Sequence, residues 1–369
     1  MIYTILVNNV NEALSSGLNL LARNSKAEES PSRNGPVRRA KGPVVIETLC
    51  PTHRVLFSPL RNANPFFHLF ESLWMLAGRQ DLPWLAQFNK QMATYSDDGG
   101  KTQPAAYGHR WRKYFGDDQL EAVVDHLARD PQSRRAVVAM WNPALMGDLY
   151  AATGGSKDVP CNTTIYFQIA NTAHGSVLNM TVTCRSNDVL WGAHGANAVH
   201  FSVLQEYIAA KLSSRLQSDI GVGRMVQFAN DYHLYTDVIK VPPERMAADA
   251  DDHDYYALKN IRPRPMFNND VDLFDREVHT FCDYADPALN GPHTPVKSGM
   301  YSSGYRVRGT PHLDHPWLRE VALPMLVAWD AHKQSNYAAA VDFCHKIASA
   351  DWRQASREWL LRKRDRNNV

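Results

Sequence analysis

Four side chains with complementary chemistry lie between residues 161 and 197. Cys161 offers a thiol, Arg185 an anion-binding guanidinium, Asp188 a carboxylate and Asn197 a carboxamide. A thiolate is a strong nucleophile, and a nearby cation makes it more available by lowering the pKa of the thiol. The set indicates covalent chemistry on a small anionic substrate, although a lone cysteine is more often structural than catalytic.

A hairpin and a helix are predicted to hold these four side chains. Two β-rich runs, Thr163–Ala170 and Val177–Cys184, flank turn residues at 171–175 and predict antiparallel strands. Cys161 opens the first strand after Pro160, whereas Cys184 stands within the second and is expected to be a buried core thiol. A long apolar helix over Ala198–Leu212 follows the last of the four.

Six segments in a fixed order resemble the thymidylate synthase superfamily, which includes the pyrimidine-nucleotide hydroxymethylases. The similarity is strongest over residues 33–240. It implies an α/β (α+β) fold with a large mixed β-sheet backed by helices, a homodimer formed through that sheet, one domain over 1–369, and a divergent helical part over 241–369. The segments are Glu71-Ser72-Leu73-Trp74, Tyr107-Gly108-His109-Arg110-Trp111, Asp130-Pro131-Gln132-Ser133-Arg134-Arg135, Pro160-Cys161, Arg185-Ser186-Asn187-Asp188 with the loop Gly192–Asn197, and Asp231-Tyr232-His233-Leu234-Tyr235.

The resemblance implies one-carbon transfer to C5 of a pyrimidine nucleotide. C5 is a poor nucleophile until the thiolate of Cys161 adds at C6. Glu71 and Tyr107 would move protons. Asn197 would donate to O4 and accept from N3–H of uracil, whereas cytosine presents the reverse pattern. Without the family match, Glu71 reads as a carboxylate facing solvent and Asn197 as a helix N-cap.

The remaining site residues also follow from the resemblance. Arg33, Arg185 and Ser186, with Arg134 and Arg135 of a second subunit, would hold the 5′-phosphate. His233 and Tyr235 would bond the sugar 3′-hydroxyl. The cofactor would be 5,10-methylenetetrahydrofolate, contacted by Asp188, Gly192 and Tyr95. Plain surface charge is the alternative for Arg33 and for the doublet Arg134-Arg135.

Departures from the synthase pattern favour a dUMP 5-hydroxymethylase. The loop Gly192–Asn197 is one residue longer, Ala196 takes the place of the loop Phe, and His194 stands in the added loop. The chain ends with polar residues over 362–369 rather than an apolar lid. A wetter site admits water where a synthase admits hydride. The alternatives are thymidylate synthase, with 286–313 as the lid, and a CMP or dCMP hydroxymethylase, if the loop turns Asn197 away and His194 reads the base.

Two other classes remain as alternatives. A non-catalytic nucleotide or RNA binder would not need both Cys161 and Glu71. A cysteine hydrolase would have to use one of the fifteen histidines, but the sequence holds no motif of that class.

The composition indicates an ordinary globular protein. Hydrophobic residues make up 44% and the net charge is +2, which gives no case for a nucleic acid or membrane partner. Five scattered cysteines predict reduced thiols in a cytoplasm. No metal-ligand spacing, membrane span or signal peptide is expected.

The other expected elements follow from periodicity. Residues 24–43 are expected to be a mobile loop, Tyr95–Ala105 a polar loop, and 286–313 a Gly/Pro-rich loop. Strands are predicted over Val44–Leu49, His53–Phe57, Arg134–Trp141 and Arg224–Asn230, and helices over 9–22, Pro65–Gly78, Leu120–Ala128, 271–284, 315–332, 336–348 and 351–363.

Overall fold

The computed structural model describes residues 1–268, 270–286 and 311–367, together with residue 289. Its strands are β1 (Tyr3–Val7), β2 (Ala27–Ser30), β3 (Val37–Ala40), β4 (Val44–Thr48), β5 (Val137–Ala139), β6 (Asn162–Thr172), β7 (Gly175–Cys184), β8 (Asn187–Asp188), β9 (Ile220–Ala229) and β10 (Tyr232–Tyr235).

Its α-helices are α1 (Val10–Ala22), α2 (Pro65–Leu76), α3 (Leu82–Ala86), α4 (Tyr107–Arg112), α5 (Gln119–Arg129), α6 (Asp148–Thr153), α7 (Ala196–Leu216), α8 (Pro243–Asp252), α9 (Tyr255–Leu258), α10 (Val271–Tyr284), α11 (Leu323–Lys333), α12 (Tyr337–Cys344) and α13 (Ala350–Asn367). A 3₁₀ turn covers Lys90–Tyr95, and π-type turns cover Val189–Ala193 and Leu318–Ala322.

A six-stranded mixed sheet is the centre of the fold, in the order β1-β4-β9-β7-β6-β5. The predicted hairpin is its antiparallel pair β6–β7. The pairs β5–β6 and β4–β9 are also antiparallel, whereas β7–β9 and β1–β4 are parallel. The register of β6 and β7 shifts between Asn162 and Thr164, at the end nearest Cys161. Such an irregularity bends a strand and redirects its side chains.

The two faces of this sheet differ. One face is buried by Ile165, Phe167, Met180 and their neighbours, which join a core cluster with residues of α2 and α7. Along each strand, buried residues alternate with more exposed ones, as expected for a sheet covered on one side. The prediction of a large mixed sheet backed by helices is therefore confirmed. Leu6, Tyr166, Val226 and Phe228 lie on the opposite, less covered face.

The prediction of a mobile loop over 24–43 is wrong. β2 and β3 form a hairpin, and β3 pairs with β10 in a second sheet of order β2-β3-β10-β8. Arg38 of β3 donates to the carbonyls of Leu21 and Ala22 at the end of α1. Those carbonyls lack partners within the helix, so this polar stretch is ordered by distant bonds that a local pattern does not reveal.

The predicted strand over His53–Phe57 is also wrong. The N–H of Val55 donates to the hydroxyl of Tyr256 at 3.0 Å, and its carbonyl accepts from Asn11 Nδ2 at 3.0 Å. The N–H of Phe57 donates to Asn11 Oδ1 at 3.1 Å. Side chains thus take the bonds that a neighbouring strand would have made.

The helix α2 explains why a carboxylate can sit inside an apolar segment. Asn64 caps its first turn by accepting from the N–H groups of Phe66 and Phe67, and Pro65 occupies the first helical position. Every residue of the helix is buried, and Glu71 is only 4% exposed. The alternative in which Glu71 faces solvent is therefore wrong.

The C-terminal helices pack behind α2. Trp359 of α13 lies against Phe66 and Trp329, with ring centroids 5.7 and 6.1 Å apart. The predicted helices are confirmed here, whereas most of the 286–313 loop lies outside the described residues, so a lid role for it stays a prediction. Assignment of the whole chain to one domain also stays a prediction. In the part that the structure describes, no helix combines the length and apolarity that a membrane crossing requires.

Candidate active site

Cys161 lies immediately before β6, and Arg185 fixes the backbone that carries it. The guanidinium of Arg185 donates to the carbonyls of Pro160 and Val159, each at 2.9 Å, and its backbone N–H donates to the Cys161 carbonyl at 2.9 Å. The thiol lines a cavity of about 560 Å³. Ser186, His233, Tyr235 and Arg33 line the same cavity, so the structure brings these predicted site residues together.

Burial raises the pKa of the Cys161 thiol. The positive charge of Arg185 and a hydrogen bond from Tyr107 lower this pKa, whereas the negative charge of Asp158 raises it further. The expectation that nearby cations lower this pKa is therefore wrong in its net direction, because desolvation of the charged form outweighs the arginine. Cys184 is 2% exposed and belongs to the core, as predicted.

A second cavity, of about 160 Å³, adjoins the first through shared lining residues Tyr95, Gln103 and Asp158. Glu71, Tyr107 and Asn197 line it, each from a different helix. Burial raises the pKa of Tyr107 well above its usual value, so this hydroxyl keeps its proton. Gly108 lets α4 approach this closely, because a Cβ there would stand 1.9 Å from the Met75 carbonyl oxygen.

A relay of three amides orients Asn197. Gln227 Nε2 donates to the Ala193 carbonyl at 3.0 Å, Asn187 Nδ2 donates to Gln227 Oε1 at 3.1 Å, and Asn197 Nδ2 donates to Asn187 Oδ1 at 3.3 Å. A carbonyl only accepts, so it fixes the direction of each amide in turn. Asn197 therefore offers its carbonyl oxygen and one remaining N–H to other partners.

Two alternatives for Asn197 are wrong, namely that it caps the following helix and that the longer loop turns it away from the site. Asn197 is the second residue of α7, and Gly195 occupies the N-cap position without a side-chain cap. The longer loop does not turn Asn197 away from the cavity. Gly192 keeps the loop compact, since a Cβ there would lie 2.4 Å from Asn187 Oδ1.

His194 is not available to read a base. It is 1% exposed and bonds the Tyr232 hydroxyl at 2.6 Å, beside α1. Burial lowers its pKa to about 3. The argument that His194 makes the site wetter is therefore wrong. Of the loop differences, the extra residue and Ala196 remain, and Ala196 lines the second cavity.

His233 and Tyr235 reach the thiol cavity from β10. His233 Nδ1 lies 3.0 Å from Asp231 Oδ1, and Asp231 pairs with Arg39 at 3.0 Å. Arg39 also lines the cavity, and sequence reasoning missed it because residues 24–43 gave no strand signal.

The predicted phosphate-binding arginines lie in two places. Arg33 donates to the carbonyls of Ser156 and Lys157 at 2.9 and 3.3 Å and lines the thiol cavity. Arg134 and Arg135 are exposed just before the edge strand β5 and line none of the cavities described here. Their predicted action across subunits stays a prediction.

Asp188 and its surroundings fit a reduced pterin. A third cavity, of about 580 Å³, is lined by Asp188, Tyr95, Trp191 and Tyr235. Asp188 Oδ1 accepts from the Trp191 N–H at 2.5 Å, while Oδ2 is buried and has no hydrogen-bond partner among the described residues. A pterin edge carries N–H donors and an aromatic face, which match this acceptor and these rings. Burial raises the pKa of Asp188.

Sequence reasoning missed Asp158, Trp191 and His200. Asp158 lines both smaller cavities and accepts from the Ala105 N–H at 3.0 Å, and burial raises its pKa to about 6. Its position three residues before Cys161 was the available signal. Trp191 is 42% exposed and lines the third cavity, and the guanidinium carbon of Arg61 lies 5.3 Å from the centroid of its ring. Within the described ranges, His, Cys, Asp and Glu side chains form no cluster suited to a metal ion.

Residues 63–283 match the family model described as Thymidylate synthase. The chain belongs to the thymidylate synthase family. It is 38% identical to a "Deoxyuridylate hydroxymethyltransferase" of Pseudomonas phage M6, over 98% of this chain and 94% of the relative. A protein of the same description in Bacillus phage SP01 is 38% identical over 53% and 50%. A "Thymidylate synthase" of Francisella philomiragia is 28% identical over 56% and 73%.

The charges around Cys161 give a testable prediction. Asp158→Asn should lower the pKa of the thiol and speed its alkylation above pH 6, because it removes a negative charge. Arg185→Gln should do the reverse. Below about pH 6 Asp158 is itself protonated, so the first difference should vanish there. The measurement is the rate of iodoacetamide alkylation against pH.

The background for this experiment is Cys50→Ser, because Cys50 is the exposed cysteine. Asp117→Asn, which removes an exposed carboxylate outside the cavities, is the matched control. Equal alkylation profiles for Asp158→Asn and this control would contradict the prediction.

Proposed function

We propose that the chain transfers a one-carbon unit to C5 of dUMP and releases 5-hydroxymethyl-dUMP. The observation that carries this proposal is the 38% identity to the phage M6 protein, whose description names deoxyuridylate and a hydroxymethyl group, over nearly the whole of both chains. Thymidylate synthases match over a smaller part of the chain, so dUMP methylation is the less supported alternative.

Cys161 is the nucleophile in this proposal. Its thiolate adds to C6 of the uracil, and the electron pair of C5=C6 moves toward the C4 carbonyl, so that C5 becomes nucleophilic. The hydrogen bond between Tyr107 and the thiol supports this role, because it favours the thiolate. Burial raises the pKa of the free thiol, so the thiolate is costly to form, and Arg185 is the nearby cation that reduces this cost.

Asn197 selects uracil. Its free carbonyl oxygen accepts from N3–H, and its remaining N–H donates to O4. The amide relay supports this assignment, because it prevents the carboxamide from rotating to suit cytosine. A cytosine in the same place leaves two buried polar pairs mismatched.

The phosphate and sugar occupy the thiol cavity. Arg185, Ser186 and Arg33 face the phosphate, and His233 and Tyr235 face the 3′-hydroxyl. Arginine suits this task because its planar fork binds two oxygens together. The cavity size of about 560 Å³ supports a nucleotide occupant.

The one-carbon donor is 5,10-methylenetetrahydrofolate, which supplies the carbon when bound. Asp188 accepts from the pterin edge, Tyr95 and Trp191 flank the ring, and Gly192 keeps the neighbouring loop close. Glu71 and Tyr107 then handle the proton that leaves C5. The five cysteines are free thiols, and a reaction that requires a free Cys161 supports a reducing compartment such as the cytoplasm.

The working unit is a homodimer formed through the six-stranded sheet. The less covered face of that sheet carries Leu6 and Tyr166, which are 60% and 44% exposed, and a partner would remove these side chains from water. Arg134 and Arg135 precede the edge strand of the same sheet, where they would reach the partner's phosphate.

The product test compares dUMP with dCMP, each with 5,10-methylenetetrahydrofolate, by mass spectrometry. We expect dUMP to gain CH₂O and dCMP to remain unchanged, and Cys161→Ala to form no product while still binding dUMP. A gain of CH₂ would identify a thymidylate synthase. Turnover by Cys161→Ala would exclude addition at C6.

The base assignment predicts the effect of Asn197→Asp. A carboxylate oxygen would face Asn187 Oδ1, and the relay cannot reverse because it ends on a carbonyl. The ratio of kcat/KM for dUMP to that for dCMP should fall by roughly one to two powers of ten, which is about 1–3 kcal/mol. Asn171→Asp, at the exposed end of β6, is the matched control. An unchanged ratio would mean that Asn197 does not read the base.

Subunit mixing tests the dimer. A chain carrying Arg134→Ala and Arg135→Ala, mixed with Cys161→Ala, should regain activity, because the first subunit keeps its own thiol and borrows intact arginines from the second. Mixing Cys161→Ala with Glu71→Ala should restore nothing, since each site then lacks one of its own residues. Equal behaviour of the two mixtures, or a monomer by light scattering that retains full activity, would contradict the arrangement.

A further inference from the structure

His200 projects from α7 into the cavity that Glu71, Tyr107 and Asn197 line. It is 2% exposed, yet neither ring nitrogen has a hydrogen-bond partner among the described residues. Its Nε2 lies 2.9 Å from Glu71 Oε2, but the two groups are not aligned as a hydrogen bond, and Oε2 has no other partner in the same part of the chain. Two buried polar side chains with unbonded atoms therefore line this second cavity, which is called the chamber below.

A purely structural role does not account for this arrangement. Three other buried histidines are bonded: His194 to the Tyr232 hydroxyl, His233 to Asp231 and His315 to Asp270. A buried polar group without a bond lowers stability. An ion pair with poor alignment does not recover that loss. His200 thus resembles a group kept for a ligand rather than for the core.

The chamber suits water. Its volume of about 160 Å³ exceeds the roughly 10–15 Å³ that one water requires. Its lining combines apolar residues such as Phe67 and Met75 with polar ones such as Asp158 and Asn197. On one side, Glu71 Oε2 and His200 Nε2 lie 2.9 Å apart without being hydrogen-bonded. A water needs two to four such partners to be held, and this side of the chamber provides them.

We propose that His200, together with Glu71, holds and deprotonates the water that converts the C5-methylene into a hydroxymethyl group. This inference rests on the proposed function and adds His200 to it as a catalytic residue. His200 also decides between products, because an oriented water competes with hydride for the same carbon.

The step balances in atoms and electrons. The nucleotide is bound through C6 to the Cys161 sulfur and carries an exocyclic C5=CH₂ bond conjugated with the C4 carbonyl. The water oxygen forms a bond to the CH₂ carbon, the π pair moves into a C4 enolate, and the water proton passes to the His200–Glu71 pair. The enolate then reforms the C4 carbonyl and the C5=C6 bond, and the C6–S bond breaks to release the Cys161 thiolate.

The test separates the addition of Cys161 to the base from the later attack of water on the C5-methylene. Debromination of 5-bromo-dUMP with added thiol requires addition of Cys161 but neither folate nor the water step. In His200→Phe we expect debromination close to that of the unchanged chain. Formation of 5-hydroxymethyl-dUMP should fall by about a hundredfold or more, as is typical for loss of a general base. Nucleotide bound to Cys161 should accumulate, visible as added mass under denaturing conditions.

Two further variants complete the design. His200→Gln keeps a polar side chain, carries the test if the Phe variant does not fold, and should lose hydroxymethylation but not debromination. His194→Gln removes a buried histidine outside the chamber and should change both reactions in proportion to folded protein.

Three results would overturn the proposal: full hydroxymethylation by His200→Phe or His200→Gln, equal loss of both reactions in those variants with the fold intact, or no trapped adduct. The two levels of inference fail separately. If the unchanged chain gives the CH₂ product, the proposed function fails and this step fails with it. If it gives the CH₂O product and the His200 variants do too, only the role of His200 fails.

Discussion

The open end of the hairpin β6–β7 is the point on which the site depends. There Arg185 spans from the end of β7 to the backbone before Cys161 and holds two carbonyls that would otherwise need water. The bond between the Arg185 N–H and the Cys161 carbonyl closes the same end. One side chain thus fixes the backbone of the proposed nucleophile and lines the cavity proposed for the phosphate, so the proposed phosphate binding and the position of the thiol would be coupled.

The three cavities share lining residues, so their titratable groups lie in one partly buried region. Tyr95 lines all three. Because charges are costly in such a space, burial sets the direction of the shifts in pKa for Cys161, Asp158 and Asp188, and each is raised. The charged form of each group is therefore costlier here than in water, and nearby donors or cations reduce that cost.

Much of the fold could be predicted from local pattern. The hairpin, α2, α7 and the C-terminal helices each have a strong periodicity or clear turn residues. The second sheet could not be predicted, because β3 is polar and is ordered by β10 and by the end of α1. His53–Phe57 has strand-like composition, but its bonds go to side chains that are distant in sequence, namely Asn11 and Tyr256.

The site residues were also hard to predict where their role depends on contacts between residues that are distant in sequence. Motif residues such as Cys161 and Asn197 could be recognised one at a time, whereas Asp158, Arg39 and His200 acquire meaning only from what surrounds them. The amide relay joins Gln227 of β9 to Asn187 and Asn197 across two other elements, and no spacing in the sequence announces it. Long-range polar bonds are the part of this structure that sequence reasoning did not reach.

The relay ends in the main chain, and this constrains how the protein can evolve. A mutation can delete Gln227 or Asn187, but no amino-acid replacement turns the carbonyl of Ala193 into a donor. Single replacements of Gln227 or Asn187 can therefore loosen the orientation of the Asn197 amide but cannot reverse it. A reversed amide at this position would require the loop that carries the Ala193 carbonyl to be rebuilt.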